Sequence, residues 1–293
     1  MNKIFKVVWS KSKQCYVVVS EIAKNTTGKK KIIVASILAG LAMSTMGNMT
    51  NVVAVAPIAP VDRPSQGLAN GSVKPGTTNG VAIASSSYID SNQSIAIGYR
   101  SYGSGTAQGG TIQPSIAIGA GAHAEANNTV AIGTVAENRG SYGVALGNQS
   151  NVTSGSDYGI AVGYQAKVSA IHGMALGERA AASGQISVAV GANAKATGAN
   201  SFAGGFNSAS GGTSSVALGE SATSSGDTSV AIGKDTVASG GDAVSIGASS
   251  QATGSDSLAL GKNAQASNGD TIAIGQDSVA QSLNSVALGK TSK

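Results

Sequence analysis

Cysteine is nearly absent from this sequence, and the shortage limits the folds that are possible. Among 293 residues the only cysteine is Cys15, close to the N-terminus. Small secreted domains usually depend on several disulfides, because their cores are too small to stabilise them alone. The sequence therefore excludes a disulfide-stapled secreted domain and calls for another source of stability.

Aromatic, charged and histidine residues are also scarce, which limits the chemistry. Aromatic residues make up 4% of the chain and charged residues 11%, and the histidines are His123 and His172. A zinc site would need carboxylate partners, and Glu125 lies two residues beyond His123. We favour two outward polar residues on one strand. No nucleophile–base–acid set stands out, so we predict no metal site, no cofactor and no catalytic residue.

The positive charge of the chain is concentrated at its N-terminus. Residues 1–56 hold eight of the 19 lysines and arginines but only one acidic residue, Glu21. The remaining residues carry eleven basic and thirteen acidic side chains, a net charge of −2 against +5 for the whole chain. The part beyond residue 56 therefore shows no sign of a nucleic-acid-binding surface.

The basic segment indicates export. Lys29–Lys31 is followed by the apolar run Ile32–Met43, which is shorter than the roughly 20 residues of a membrane span. We predict that residues 1–56 form an extended signal peptide, with a retained membrane anchor as the alternative. Small residues between positions 42 and 56 leave the cleavage site open. Residues 57–79 contain four of the five prolines and are predicted to be a flexible lead-in.

Residues 80–293 consist of a repeat whose period is fourteen residues. Its core is a serine, an apolar residue, alanine, a second apolar residue and glycine, as in Ser187–Gly191. Two steps are longer than fourteen. About seven residues are inserted around Tyr102–Thr111, and two near Ser154–Asp157. A register maintained over such a length indicates a stack of identical structural units.

Each repeat predicts two short strands and two corners. Val188 and Val190 alternate with Ser187 and Ala189, and this period of two is typical of a strand. We expect the valine-type side chains to form columns inside the fold. The weaker alternation that follows and the Ser/Gly/Asn cluster after it predict a second strand and a turn. The fold class is thus all-β, a parallel β-solenoid with fourteen-residue rungs and a length of roughly 65–70 Å.

The central alanine of the motif varies little between repeats. It is alanine in fourteen of the fifteen copies and serine only at Ser245. Because we expect this position to face away from the apolar core, we predict that the column lies at a subunit interface. An equally acceptable alternative is a cramped interior position within the rung. The predicted interface residues are Ala131, Ala145, Ala189, Ala217, Ala231, Ala273 and Ala287.

Two further features have structural explanations. Asp242, Asp256 and Asp270 are one period apart. They could bind a cation, but we favour turn residues that satisfy backbone N–H groups. Phe202 precedes Gly204, which occupies the second apolar position, and we expect the phenylalanine ring to fill the gap.

The longer insertion is the predicted ligand-contact site. Tyr99, Arg100 and Tyr102 lie at its start, in a chain with few aromatic residues. Loops that project from one face of a solenoid often form its binding surface. The alternative is a bulge that is merely tolerated.

The repeats resemble the head repeats of trimeric autotransporter adhesins of the YadA-like type. The segments Met1–Lys13 and Val17–Glu21 are similar to the extended signal-peptide region of the same proteins. The resemblance implies a left-handed parallel β-roll, a homotrimer and display on a Gram-negative cell surface. It also implies attachment to extracellular matrix, host cells or other bacteria. The family's coiled-coil stalk and membrane anchor do not follow the repeats, so we expect either a fragment or another means of anchoring.

We therefore predict a non-catalytic adhesin head, against two alternatives. A left-handed β-helix acyltransferase uses six-residue turns, and fourteen is not a multiple of six. An ice- or surface-binding solenoid needs a regular threonine array, but the threonines here do not keep one register.

Overall fold

The computed structural model describes a two-stranded hairpin and a long solenoid. It describes the backbone of Phe5–Ser10, Cys15–Ser20 and Gln66–Leu68, and residues 71–74, 77, 79–105 and 113–293. The chain divides into two compact units, Met1–Val52 and Val53–Lys293. The predicted apolar run of the signal peptide and its cleavage sites lie outside the described residues. No helix in the described part is long and apolar enough to cross a membrane.

The described part of the N-terminal unit is an antiparallel pair of strands. Strand β1 (Phe5–Ser10) pairs with β2 (Cys15–Ser20), so that Phe5 lies opposite Ser20 and Ser10 opposite Cys15. β-branched valines fill both segments, which suits an extended backbone.

The second unit is all-β, with two parallel sheets whose strands alternate along the chain. The sixteen-stranded sheet, which we call the long-strand sheet, contains β3 (Gln66–Leu68), β5 (Val81–Ile83), β7 (Ile95–Ile97), β9 (Ser115–Ile118), β11 (Thr129–Ile132), β13 (Val144–Leu146), β15 (Ile160–Val162), β17 (Met174–Leu176), β19 (Val188–Val190), β21 (Phe202–Gly204), β23 (Val216–Leu218), β25 (Val230–Ile232), β27 (Val244–Ile246), β29 (Leu258–Leu260), β31 (Ile272–Ile274) and β33 (Val286–Leu288).

The fifteen-stranded sheet, the short-strand sheet, is built from two-residue strands. They are β4 (Ser72–Val73), β6 (Tyr88–Ile89), β8 (Tyr102–Gly103), β10 (His123–Ala124), β12 (Glu137–Asn138), β14 (Asn151–Val152), β16 (Lys167–Val168), β18 (Ala181–Ala182), β20 (Lys195–Ala196), β22 (Ala209–Ser210), β24 (Thr223–Ser224), β26 (Val237–Ala238), β28 (Gln251–Ala252), β30 (Gln265–Ala266) and β32 (Val279–Ala280).

Strand pairing confirms the fourteen-residue rung. In the long-strand sheet Val216 pairs with Val230 and Ala217 with Ala231, and the same step recurs up to the last strand. At the usual strand spacing, fifteen steps between sixteen strands give a rod about 72 Å long. Parallel pairing of neighbouring rungs therefore replaces disulfides as the source of order. The handedness implied by the family resemblance stays a prediction.

The solenoid begins earlier than the sequence predicted. Within residues 57–79, which we expected to be a flexible lead-in, Gln66–Leu68 pairs with Val81–Ile83 and Ser72–Val73 pairs with Tyr88–Ile89. A first rung therefore precedes residue 80. Its sequence lacks the Ser-Val-Ala-Ile-Gly core, which is why the repeat pattern did not show it.

The interior of the solenoid is filled by small side chains. The central alanines of the long strands, such as Ala189 and Ala231, are 0% exposed, and so are Ala196 and Ala238 of the short strands. Serines line the same space. Ser229, for example, is 0% exposed, and its Oγ donates a hydrogen bond to the Gly226 carbonyl oxygen at 2.6 Å. The core is thus two closely apposed sheets filled mostly by alanine and serine, with Ile89, Val152 and Val168 as its largest apolar side chains.

The glycine that ends each long strand is required by the stacking of the rungs. Gly191 has φ +129°, and a Cβ atom built there would lie 2.6 Å from the carbonyl oxygen of Gly205 in the next rung. Both the backbone angle and the contact exclude a side chain. This explains why the sequence places glycine at the same position in nearly every repeat.

Each rung turns at two corners. We define corner A as the two residues that follow the motif glycine, for example Lys234 and Asp235. Corner B comes before the long strand. It is the pair of residues followed by the buried serine-type residue of the motif, for example Asp227 and Thr228 before Ser229. The second residue of each corner is left-handed, with φ +55° at Asp235 and +54° at Thr228. Corners A and B lie at opposite ends of every long strand.

Candidate interaction surfaces

The outer face of the long-strand sheet is a continuous apolar surface. Side chains on either side of the central alanine point outward, as the partial exposure of Val230 and Ile232 shows. Several members of this surface are exposed, among them Leu146 at 43%, Leu218 at 45% and Leu288 at 63%. Two columns of valine, isoleucine and leucine thus run along the rod. We call this surface the apolar face.

This arrangement inverts the predicted orientation of the motif. We expected Val188 and Val190 inside and Ala189 outside, but Ala189 is buried, Val188 is partly exposed and Val190 is 37% exposed. The interior holds mainly alanine and serine, and the branched side chains of the long strands lie on the outer face instead. The alanine column, which we predicted as the subunit interface, occupies the alternative position in the interior of the rung. Its exposure is 0% at Ala131, Ala145, Ala189, Ala217, Ala231 and Ala273 and 2% at Ala287. Because these side chains have no exposed surface in one chain, they cannot contact a second chain.

Phe202 fills the gap at Gly204, as expected. A Cβ atom built at Gly204 would lie 2.7 Å from Cε1 of Phe202 and 2.9 Å from Cδ1 of Leu218. The aromatic ring therefore lies over the glycine and keeps the apolar face closed at this rung.

The outer face of the short-strand sheet is polar over most of its length. Its outward positions include Lys167, Lys195, Thr223, Gln251 and Gln265. The rod is therefore amphipathic across its width, with one apolar and one polar face. Such a division predicts burial for the apolar face and solvent for the polar face.

The predicted ligand-contact residues belong to a regular rung and not to the inserted loop. Tyr102 pairs with Tyr88 before it and with His123 after it in the short-strand sheet. Tyr99 and Arg100 form corner A of the same rung, with the Arg100 guanidinium 5.5 Å from the centre of the Tyr99 ring. The extra residues come after Ser104, and residues 106–112 lie outside the described part of the chain. The insertion therefore lies a few residues later than the sequence predicted.

Tyr102 is held in place by its neighbours on the short-strand sheet. Its ring stacks on Tyr88 with centroids 5.7 Å apart, and its hydroxyl donates to Asp90 Oδ2 at 3.0 Å. Partial burial, partly offset by a hydrogen bond from Ser104 and reinforced by Asp90, raises the pKa of the Tyr102 phenol. Tyr99, by contrast, is 53% exposed, which makes it the more accessible of the two rings.

His123, Glu125, Glu137 and Arg139 form a network of ion pairs and hydrogen bonds. His123 Nδ1 lies 2.8 Å from Glu125 Oε1, and Arg139 Nε donates to Glu125 Oε2 at 2.9 Å. Arg139 also pairs with Glu137. Partial burial opposes ionisation of Glu125, but the hydrogen bonds from Arg139 and His123 outweigh it and lower the pKa of the carboxyl group. The described residues contain no cluster of three or more potential metal ligands.

The aspartates that recur with the period are corner B residues. Asp242, Asp256 and Asp270 have φ between +53° and +54°, as Asn128 and Asn200 do at +52° and +55° in the same register. Asparagine and aspartate tolerate this left-handed conformation better than most residues. Their recurrence is therefore explained by the turn.

The two-residue insertion lies where the sequence indicated, at Ser154 and Gly155. Asn138 pairs with Val152, fourteen residues on, whereas Ala145 pairs with Ala161, sixteen residues on. A cleft of about 410 Å³ opens beside the insertion and is lined partly by Arg139. No signal other than the interrupted period could have indicated it.

An exposed aromatic ladder that the sequence analysis missed occupies corner B of three consecutive rungs. The rings of Tyr142 and Tyr158 stack at 5.0 Å, and those of Tyr158 and His172 at 4.9 Å, with interplanar angles of 7° and 6°. Ile186, 53% exposed, takes the same position in the next rung. All four side chains share the register of the corner aspartates, so an alignment that considered every residue type at that position would have found them.

Fold and surfaces together define a class: a repetitive β-solenoid that offers long surfaces for contact. Comparison with known families agrees. Residues 1–47 match the Extended Signal Peptide of Type V secretion system. The YadA head domain repeat (2 copies) matches residues 113–136, 139–166, 154–180, 182–208, 210–236, 238–264 and 266–292. No curated protein matches the sequence.

The repeat matches cover more than half of the chain, and the chain belongs to the YadA-like trimeric autotransporter adhesins. The two matches indicate an exported protein of the Gram-negative cell surface. YadA-type adhesins are homotrimeric and bind extracellular ligands, and the family is generally non-catalytic.

Proposed function

We propose that this chain forms the head of a homotrimeric adhesin whose three rods bury their apolar faces against one another. The observation that carries the proposal is the length of the apolar face. The two columns of apolar side chains lie about 7 Å apart and run for about 72 Å along the rod, so the strip between them has an area of roughly 500 Å². An area of this size is near the upper end of the roughly 300–600 Å² that the largest apolar patch of a typical monomer reaches, and such patches are often functional.

In this arrangement the polar short-strand sheets face outward and carry the adhesive contacts. They attach the cell to extracellular matrix, host cells or other bacteria, without catalysis. Weak contacts repeated on three rods gain strength through avidity. Tyr99 and Arg100, an exposed aromatic ring and a cation near the inserted residues, stay our candidates for a specific contact, with the stacked Tyr102 beside them.

The assembly is tested by placing charge on the apolar face. The double variant Val230→Lys/Ile232→Lys puts two lysines at the centre of one rung, where a trimer would bury them. The control is Val237→Lys, on the outward face of the short-strand sheet in the same rung. We expect light scattering to show a monomer for the double variant and a trimer for the control. Trimers from both variants would contradict burial of the apolar face.

The adhesive role is tested with the full-length chain immobilised on beads. We expect saturable binding of the beads to immobilised matrix proteins, cultured cells or bacteria, and much weaker binding when the beads carry the Val230→Lys/Ile232→Lys variant. Beads that bind none of these surfaces would contradict the proposed function. A Tyr99→Ala variant that binds as well as the unaltered chain would remove this residue from the contact site.

A further inference from the structure

We propose that the two corner edges of the rod, over the rungs from β11 to β29, form a second, register-setting contact between chains, in which corner B of one protomer meets corner A of the next. The partner is a second copy of this chain. The inference rests on the proposed trimer and goes beyond it, because it names residues outside the apolar face and fixes the relative height of the rods.

Symmetry determines which edges can meet. In a closed ring of three chains every interface is heterologous, so one edge of each protomer contacts the opposite edge of its neighbour. When the long axes of the rods are parallel to the three-fold axis, equivalent rungs of the three chains lie at the same height along that axis. Residues at the two ends of one long strand are therefore the residues that face each other across neighbouring chains. Corners A and B border the apolar face on either side, so the proposed contact continues that interface.

Exposed apolar side chains are found on both edges at the same height. Tyr158 and Tyr164 stand at the two ends of strand β15 and are 49% and 42% exposed. On the corner B edge Tyr142 and Ile186 extend the aromatic ladder, at 52% and 53% exposed. On the corner A edge Val135, at 54% exposed, lies one rung below Tyr142. Stacking within one chain leaves about half of each of these side chains exposed, and a neighbouring edge would cover the rest.

Charges on the two edges are complementary where the ladder ends. Asp256 and Lys262 stand at the two ends of strand β29, and neither forms an ion pair within the described part of the chain. Asp227 and Lys234 stand at the two ends of strand β25 in the same order, although Lys234 also pairs with Glu220 at 3.2 Å along its own edge. At β31 both ends carry an aspartate, but Asp277 accepts a hydrogen bond from Asn263 along its own corner. Acidic residues at corner B thus face lysines at corner A in two of these rungs.

The contact is tested by pairing cysteines across the edges of the full-length chain, with Cys15→Ser as the background. The test variant combines Tyr158→Cys with Tyr164→Cys, which share a height. The mismatched control combines Tyr158→Cys with Phe206→Cys, an exposed corner A residue three rungs farther along, about 14 Å away. Each chain is treated with a short bifunctional maleimide and analysed under denaturing conditions, and its mass in solution is measured in parallel.

We expect covalent dimers and trimers from the matched pair, and only monomers from the mismatched pair and from either single cysteine. A chain that sediments as a trimer but gives no covalent product with the matched pair would overturn the edge contact and leave the trimer intact. Equal products from both pairs would overturn the common register. A chain that sediments as a monomer would contradict the proposed trimer itself.

A charge reversal gives a second measurement that does not depend on cysteine chemistry. Asp256→Lys places two lysines opposite each other, and Lys262→Asp places two aspartates opposite each other. We expect each single reversal to raise the dissociation constant of the trimer several-fold at low salt, and the double reversal to restore it. Equal effects of the single and double variants would refute the pairing of these two residues.

Discussion

The glycine that closes each long strand provides the sharpest test of how the rungs stack. We predict that Gly191→Ala destabilises the solenoid strongly. The new methyl group would lie 2.6 Å from the Gly205 carbonyl oxygen and 2.7 Å from its carbon, both backbone atoms that cannot turn aside. The residue would also keep a φ of +129°, which side chains rarely adopt. A strained backbone of this kind costs about 1–3 kcal/mol, and displacement of the next rung adds to it.

We therefore expect Gly191→Ala to lower the free energy of unfolding by about 2–4 kcal/mol, a fall of roughly 5–15 °C in melting temperature for a domain of this size. Gly241→Ala is the matched control, since a Cβ atom there has no neighbour within 4 Å and its φ is not positive. Alanine restricts the unfolded chain more than glycine does, so the stability of the Gly241→Ala control should be unchanged or higher by about 0.4–1 kcal/mol.

The assay is thermal unfolding followed by circular dichroism at one fixed protein concentration, because assembly couples stability to concentration. Midpoints are compared directly, since repeat arrays need not unfold in two states. Equal melting temperatures for Gly191→Ala and Gly241→Ala would refute the close stacking of the glycines.

Three further predictions concern the core and the ion-pair network. Ala231→Val should cost about 1–3 kcal/mol of stability by overpacking the narrow interior, whereas Ala209→Val, on the outer face of the short-strand sheet, should be neutral or favourable. Glu125→Gln should lower stability at pH 7 by less than about 1 kcal/mol, as the pair is only partly buried. Ser245→Ala should change stability by no more than about 1 kcal/mol, because it removes only the hydrogen bond of Ser245 with Ser250 and fits the alanine column.

The pH dependence of the second prediction follows from the lowered pKa of Glu125. Because the folded pKa lies below the ordinary value of 4.5, the stabilisation is present above that pH and is lost as the pH falls through the folded pKa. Unaltered protein and Glu125→Gln should therefore converge in stability once the pH has fallen below the folded pKa of Glu125, which itself lies below 4.5. A gap that persists in acid would contradict the ionic origin of the effect, and equal costs for Ala231→Val and Ala209→Val would contradict the assignment of inside and outside.

The rung, the strand pairs and the parallel stacking could be predicted from the sequence, because period two and period fourteen are properties of the chain itself. The inside of the solenoid could not be predicted from alternation alone. Alternation separates Ala189 from Val188 and Val190, but it does not say which set is enclosed. The usual rule that branched apolar residues form the core is misleading here, because on the long strands alanine faces the interior and the branched residues lie on the outer face.

The signal for the correct orientation was nevertheless present. Ser187 and Ala189 belong to columns that stay small in nearly every repeat, as the residues of a narrow interior must. The valine-type columns vary freely among valine, isoleucine, leucine, methionine and phenylalanine. Such variation suits a surface that another chain covers. The aromatic ladder was missed for a different reason, since this corner position holds tyrosine, histidine or isoleucine in these rungs and aspartate in others such as Asp242, so no single residue type marks it.

The central claim is that the apolar face is buried between three copies of the chain. Sedimentation equilibrium of the full-length protein tests it most directly. One chain has a mass of 28.5 kDa, and the account predicts a single species of about three times that mass. A folded species that sediments at 28.5 kDa at every concentration would show that the apolar columns remain exposed, and would contradict the account.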